Sequence, residues 1–243
     1  SLLKDNENRI WLGYYNKGVG VFDKLSSQFN SIERLLNNPN SLQTSSVTGI
    51  AKDFSGKFWI SMEGGGVDVY DSKTKKFIHI NNYDSSFLSG LTNNNVQTVF
   101  IDSKQNVWLG TWNDGIFFLK KGSKNFVNYN IRNTKGLSSD RVLSFAEDSE
   151  GNIWIGTFLK GLSYFDPSKN TFFQCNSKPF LDHSLTSSFV RKVFVDSDNT
   201  IWVGTTKGLF AVNHKKNNTF SVLSMKDKMS KSLNSNNSAH TIL

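Results

Sequence analysis

A tryptophan returns five times along the chain, at Trp11, Trp59, Trp108, Trp154 and Trp202, at intervals of 48, 49, 46 and 48 residues. The frame around it is stricter still. An aspartate stands six residues before each one (Asp5, Asp53, Asp102, Asp148, Asp196), and a phenylalanine eighteen after (Phe29, Phe77, Phe126, Phe172, Phe220). All length variation falls between each Phe and the next Asp, so one frame is copied intact while its connections drift. Periods of about 40 to 50 residues mark architectures that stack one supersecondary unit per repeat. The repeats run approximately 1–45, 46–94, 95–140, 141–188 and 189–237, and 238–243 starts another.

The fourth repeat shows the unit most clearly. Val142 to Asp148 and Ile153 to Thr157 are apolar-rich runs split by Ser149-Glu150-Gly151-Asn152, which reads as a β-hairpin. Asp and Asn side chains bond their own backbone, and Gly or Asn supplies the residue with positive φ. Each repeat Asp is therefore read as a turn former, not a catalytic carboxylate. A second hairpin follows, with Gly161 to Asp166 and Thr171 to Gln174 around Pro167-Ser168-Lys169-Asn170. Each repeat thus yields four short antiparallel strands, A to D, and no segment keeps helical spacing, so the class is all-β. Strand B bears on the architecture, where a solenoid is the competing reading and the prominent Trp and the period near 48 favour blades. In Val107-Trp108-Leu109 and Ile153-Trp154-Ile155 consecutive residues are all apolar, and because side chains alternate faces the strand must be covered on both sides. Four-stranded sheets packed face to face around an axis achieve this, which predicts a β-propeller. The glycine two residues after the Trp (Gly13, Gly110, Gly156, Gly204; Ser61 in the second repeat) leaves room for the indole or a neighbouring blade.

Composition bounds the rest. The five repeats keep register without a Pro- or Ser-rich linker, so 1–243 is expected to be a single array. Cys175 is the one cysteine, so no intramolecular disulfide can form, which fits cytoplasm and bacterial periplasm alike. No apolar stretch is long enough for a membrane span or signal peptide. The tail from Ser232 aligns with the entry into another strand A and stops one residue short of its Asp, so the array is expected to continue beyond it.

The run Asp148 to Thr157 followed by Gly161 to Asp166 resembles the two-component regulator propeller repeat, found in the periplasmic sensor region of hybrid two-component histidine kinases of Bacteroides and relatives. The resemblance covers the chain five times over. Repeat one departs with Arg9 where Asn is common, repeat two with Ser61, and repeat three with Lys120 at the end of strand C. It implies a share of a seven-bladed propeller, a periplasmic location with the membrane reached only through other regions, a receptor that pairs with a second copy, and recognition of oligosaccharides for a kinase and transcription output.

The chemistry-bearing residues give little support to catalysis. His79, His183, His214 and His240 lack metal-ligand spacing, Asp196-Ser197-Asp198-Asn199 lacks the later acidic ligand of a calcium loop, and no cofactor motif occurs. The net charge of +8 leaves open an acidic glycan, although the lysines are scattered at turns, and nucleic acid is disfavoured by the location that the resemblance implies. In the B–C loops the repeats stop resembling each other: Tyr14-Tyr15-Asn16-Lys17, Met62-Glu63, Trp112-Asn113-Asp114, Phe158-Leu159-Lys160 and Thr206-Lys207. Identical loops could not read an asymmetric ligand. The expected ligand-binding residues are therefore Tyr14, Tyr15, Lys17, Trp112, Asn113, Asp114, Phe158 and Lys160. Arg132, Arg141 and Arg191 join them as donors to a sulfate or carboxylate. The competing reading is a non-catalytic interaction or dimerisation scaffold, which would present a flat rim around an apolar centre.

Overall fold

The computed structural model describes residues 1–15, 17–23, 29–82, 87–175, 189–215 and 219–224. These form five four-stranded antiparallel sheets, each in sequential strand order, and contain no helix. Blade 1 holds β1 (Leu2–Lys4), β2 (Ile10–Tyr14), β3 (Gly18–Phe22) and β4 (Phe29–Ile32); blade 2 holds β5 (Val47–Lys52), β6 (Phe58–Met62), β7 (Gly66–Asp71) and β8 (Lys76–Ile80). Blade 3 holds β9 (Val96–Ile101), β10 (Val107–Thr111), β11 (Ile116–Leu119) and β12 (Val127–Tyr129). Blade 4 holds β13 (Val142–Glu147), β14 (Ile153–Thr157), β15 (Gly161–Asp166) and β16 (Thr171–Gln174). Blade 5 holds β17 (Val190–Val195), β18 (Ile201–Thr205), β19 (Gly208–Lys215) and β20 (Thr219–Ser224). This is the all-β blade architecture expected from the repeat. The chain forms two compact units, Ser1–Asn128 with the first three blades and Tyr129–Leu243 with the last two.

Within each unit the apolar core lies between successive blades. In the first, one cluster joins Trp11, Val19 and Val21 to Phe58, Ile60 and Tyr70 of blade 2, and another joins Trp59, Val67 and Val69 to Val107, Leu109 and Phe117 of blade 3. In the second unit, Trp154, Leu162 and Tyr164 pack with Val193, Ile201, Val203 and Val212. Strand B is buried at every position in β6, β10 and β14, as its unbroken apolar run requires. The glycine after the tryptophan makes room for the next blade, not for the indole. A Cβ on Gly156 would lie 2.7 Å from Val190 Cγ1, and one on Gly13 2.7 Å from Val47 Cγ1. Where Ser61 replaces this glycine, the glycine has moved across the ladder to its partner Gly49. Blades 3, 4 and 5 pair the same two sites as Thr98 with Gly110, Ser144 with Gly156 and Lys192 with Gly204.

Three connections from strand D to strand A insert a leucine into the core, Leu42, Leu91 and Leu137, each nearly inaccessible. The glycines ahead of two of them are fixed by geometry. Gly90 and Gly136 have φ of 87° and 93°, and a Cβ on Gly136 would stand 1.9 Å from the Phe172 carbonyl. Only glycine takes such a conformation against a backbone without strain. The sequence at 183 and at 225–243, with His183, His240 and the tail, lies outside the described residues.

Candidate functional site

The two ends of the blades differ in chemistry. At one end all five A–B turns share a single device. The Asp N–H donates to the carbonyl four residues on, the Asp carbonyl accepts from the residue three on, and that residue is left-handed: Asn8, Gly56, Gln105, Gly151 and Asn199. The carboxylate does more than form the turn. In blade 4, Asp148 Oδ1 accepts the backbone N–H groups of Glu150 and Asn152, while Oδ2 accepts Asn152 Nδ2 and Trp154 Nε1, both at 2.9 Å. The indole bond recurs in every repeat, from Trp11 to Asp5 at 2.9 Å, Trp59 to Asp53 at 3.1 Å, Trp108 to Asp102 at 3.0 Å and Trp202 to Asp196 at 2.7 Å. A buried indole N–H needs an acceptor, and the invariant six-residue spacing supplies it. Arg9 substitutes for the usual Asn by sending its Nε to Asp5 Oδ2 at 2.8 Å. Trp11, Trp59, Trp108 and Trp154 are buried, and Trp202 is partly buried.

At the opposite end the B–C loops share backbone connections but not side chains. The first loop residue donates its N–H to the residue preceding strand A, as in Glu63 to Ser46, Trp112 to Asn95, Phe158 to Arg141 and Thr206 to Phe189. Tyr14, Tyr15 and Lys17 are exposed, the Tyr14 ring lying over Gly20. Tyr15 Oη donates to Glu63 Oε2 of the next blade at 3.0 Å, and this bond to a carboxylate raises the phenol pKa. Trp112 is partly buried and Asn113 exposed, so this indole offers only part of its surface as a platform. Asp114 is committed locally, accepting Asn93 Nδ2 on its carboxylate and bonding Thr111 Oγ1 through its N–H. Arg132 is exposed in the loop after β12, where its backbone N–H donates to Asn130 Oδ1.

Phe158, Arg141 and Arg191 come together in the second unit. The Arg141 guanidinium lies 5.5 Å from the Phe158 ring centre, Phe158 meets Phe189 edge-on at 4.4 Å, and the Arg191 guanidinium lies 4.4 Å from the Phe189 ring centre. Lys160 is exposed in the same loop, and burial lowers the pKa of the neighbouring Lys192. Sequence reasoning missed Phe189, which immediately precedes a strand and reads there as core. It also missed a network in blade 2. The Asp68 carboxylate, fully buried, accepts Gln43 N–H at 3.0 Å, Gln43 Nε2 at 2.8 Å and His79 Nδ1 at 2.6 Å, while His79 Nε2 reaches the Pro39 carbonyl at 2.6 Å. His79 and Gln43 edge a cavity of about 440 Å³ with Arg34, Leu35 and Leu42. None of the expected ligand-binding residues lines it.

Comparison with known proteins places these repeats. Residues 90–113, 136–158 and 184–207 match the two component regulator propeller family. These three stretches carry the two component regulator propeller repeat. It is 35% identical over 114 residues to histidine kinase P4 of Formosa agariphila, a match spanning 45% of this chain and 8% of that protein. Among solved structures it resembles an extracellular domain assigned to a hybrid two component system of B. thetaiotaomicron. The TM-score is 0.70 at 23% identity, over 92% of this chain and 30% of the other. It also resembles virginiamycin B lyase from Staphylococcus aureus, with a TM-score of 0.64 at 13% identity over 92% and 68% of the two chains. These structural likenesses show the propeller fold.

Proposed function

We propose that this chain is part of the extracytoplasmic sensor of a two-component receptor, binding an oligosaccharide at the B–C loop end of its blades and relaying that event to a kinase and transcription output carried elsewhere in the protein. The observation that carries the reading is the contrast between the two blade ends. The A–B turns repeat one closed set of hydrogen bonds five times, whereas the B–C loops present different exposed side chains in each blade, among them Tyr14, Tyr15, Asn113, Leu159 and Lys160. A scaffold of identical turns holding dissimilar loops is how a rigid fold displays a recognition surface. Aromatic rings beside amide and cationic groups suit a sugar, which offers an apolar ring face and a hydroxyl edge. The relatives named above include a histidine kinase and a two-component extracellular domain, which supports the signalling context and a location outside the cytoplasm.

The test is calorimetry of the purified chain against a panel of plant, algal and host oligosaccharides, with Trp112→Ala and Arg141→Ala beside the parent. Binding of one panel member that weakens in either variant supports the reading. Binding that both variants leave untouched moves the site away from this end. Absence of sugar binding together with concentration-dependent dimerisation in sedimentation favours the scaffold reading.

A further inference from the structure

Between blades 4 and 5 the loop face carries a cation that the described residues do not satisfy. At the equivalent junctions of the first unit, polar groups close on each other: Tyr15 Oη bonds Glu63, and Gly64 N–H bonds Asn95 Oδ1 at 3.0 Å. In the second unit the same junction is aromatic, Phe158 against Phe189, and each ring carries a guanidinium, Arg141 and Arg191. Arg191 Nε is buried and has no hydrogen-bond partner among the described residues, and no salt bridge there includes this side chain. A buried donor left unmade is costly, more so on a charged group. The rings hold the guanidinium plane by stacking but accept none of its in-plane N–H groups. A planar or tetrahedral oxyanion is the group that Arg bonds through paired, charge-assisted contacts.

We infer that Arg141, Phe158, Phe189 and Arg191 form an oxyanion subsite, which takes a carboxylate or sulfate substituent of the sensed glycan. The inference rests on the glycan-sensing reading for its source of oxyanion, though not for its geometry. Arg191 is the primary contact, Arg141 stands across the aromatic pair as the second cation, and exposed Lys160 adds to the local positive field. Phe158 and Phe189 are both partly buried, so the charge-assisted bond forms where solvent screening is weaker than in open water.

The experiment has two arms. In the first, the arginine side-chain Nε–H signals of the whole chain are followed by nitrogen-resolved NMR during titration with sodium sulfate, against sodium chloride at matched ionic strength. The signal lost in Arg191→Lys identifies Arg191. A saturable shift of that signal with sulfate and not with chloride is expected; an equal or absent response overturns the subsite. In the second arm, calorimetry compares trigalacturonate, a sulfated galactose disaccharide and neutral galactotriose. An acidic probe is expected to bind, and Arg191→Gln to weaken it by about tenfold or more, the scale of one charge-assisted bond. Neutral and acidic probes binding alike, indifferent to Arg191→Gln, overturn the subsite and leave sugar sensing standing. A sulfate response in the first arm with no sugar bound in the second supports the subsite and overturns the glycan reading.

Discussion

Replacing Asp148 by asparagine separates two roles that the repeat aspartate combines. Asparagine forms such turns as readily as aspartate, so a residue needed only for the turn would tolerate the change. The structure assigns more to it. The carboxylate accepts four hydrogen bonds, two from backbone N–H groups and one each from Asn152 Nδ2 and Trp154 Nε1. Asparagine presents an NH₂ where one of these oxygens stood, so one pair of donors faces a donor. Asp148 is 5% exposed and Trp154 fully buried, so water cannot take over the abandoned bonds. Losing a bond to a charged acceptor and burying an unsatisfied N–H together cost about 2–4 kcal/mol. For a chain of this size that corresponds to a fall of about 4–15 °C in Tm.

Urea unfolding followed by tryptophan fluorescence measures this, with an unchanged slope confirming that the native and denatured states keep their compactness. Asp196→Asn is the internal comparison. There Trp202 and Asp196 are both partly exposed, water can substitute, and the loss is expected near 1 kcal/mol. A cycle combining Asp148→Asn with Trp154→Phe should give a coupling of about 1.5–3 kcal/mol. A cost below about 1 kcal/mol at Asp148, or equal costs at the two sites, refutes the account of the six-residue spacing as an indole tether.

Gly136→Ala places a Cβ 1.9 Å from the Phe172 carbonyl at a φ of 93°, and thermal melts should show a loss of about 2–4 kcal/mol from clash and backbone strain together. Gly56→Ala has φ of 87° but nothing within 4 Å, so only the strain remains, about 1 kcal/mol in the same melts. Burial opposes ionisation of Asp166, but bonds from Lys169 and Ser168 outweigh it and hold the carboxyl pKa at about 2, below the ordinary 3.8. Its stabilising contribution is therefore complete above the unfolded value and lost as pH falls through that interval, and Asp166→Asn should flatten this part of the acid-stability profile. Cys175 is buried and its thiol pKa is pushed far up by that burial, so a chromogenic disulfide should leave it unmodified in the native chain and label it once urea unfolds the protein.

The blade was legible in the sequence because its determinants are local. Turn chemistry, strand alternation and the two-sided burial of strand B all act within a few residues, and five copies displayed them in register. The fixed Asp–Trp distance was equally visible, yet its cause was not, since a spacing of six says nothing about where an indole nitrogen points until the hairpin closes. The candidate site was legible only in part. Loop individuality picked out Phe158, and their charge picked out Arg141 and Arg191, but Phe189 belongs to the next blade and is recruited through packing across 31 positions of chain. Trp112 and Asp114 stood out by type and place; burial and an internal hydrogen bond then drew on part of what they had to offer.

The left-handed turn residue shows how a repeat can carry information at a position that looks interchangeable. Glycine meets the backbone requirement at Gly56 and Gly151 without strain, so Gln105 and Asn199 cost something that their backbones do not need. Their side chains explain the choice. Gln105 Oε1 accepts Phe54 N–H of the preceding blade at 2.7 Å, and Asn199 Oδ1 accepts Ser149 N–H at 2.7 Å, the same donor position one repeat back. In both units an amide side chain thus ties one turn to the turn before it. The tie lies at the end opposite the variable loops, so the spacing between neighbouring blades can be held by the turns while the B–C loops are free to diverge in sequence. That division lets a repeat keep its register and still build, between blades 4 and 5, a surface as particular as the Arg141–Phe158–Phe189–Arg191 ladder.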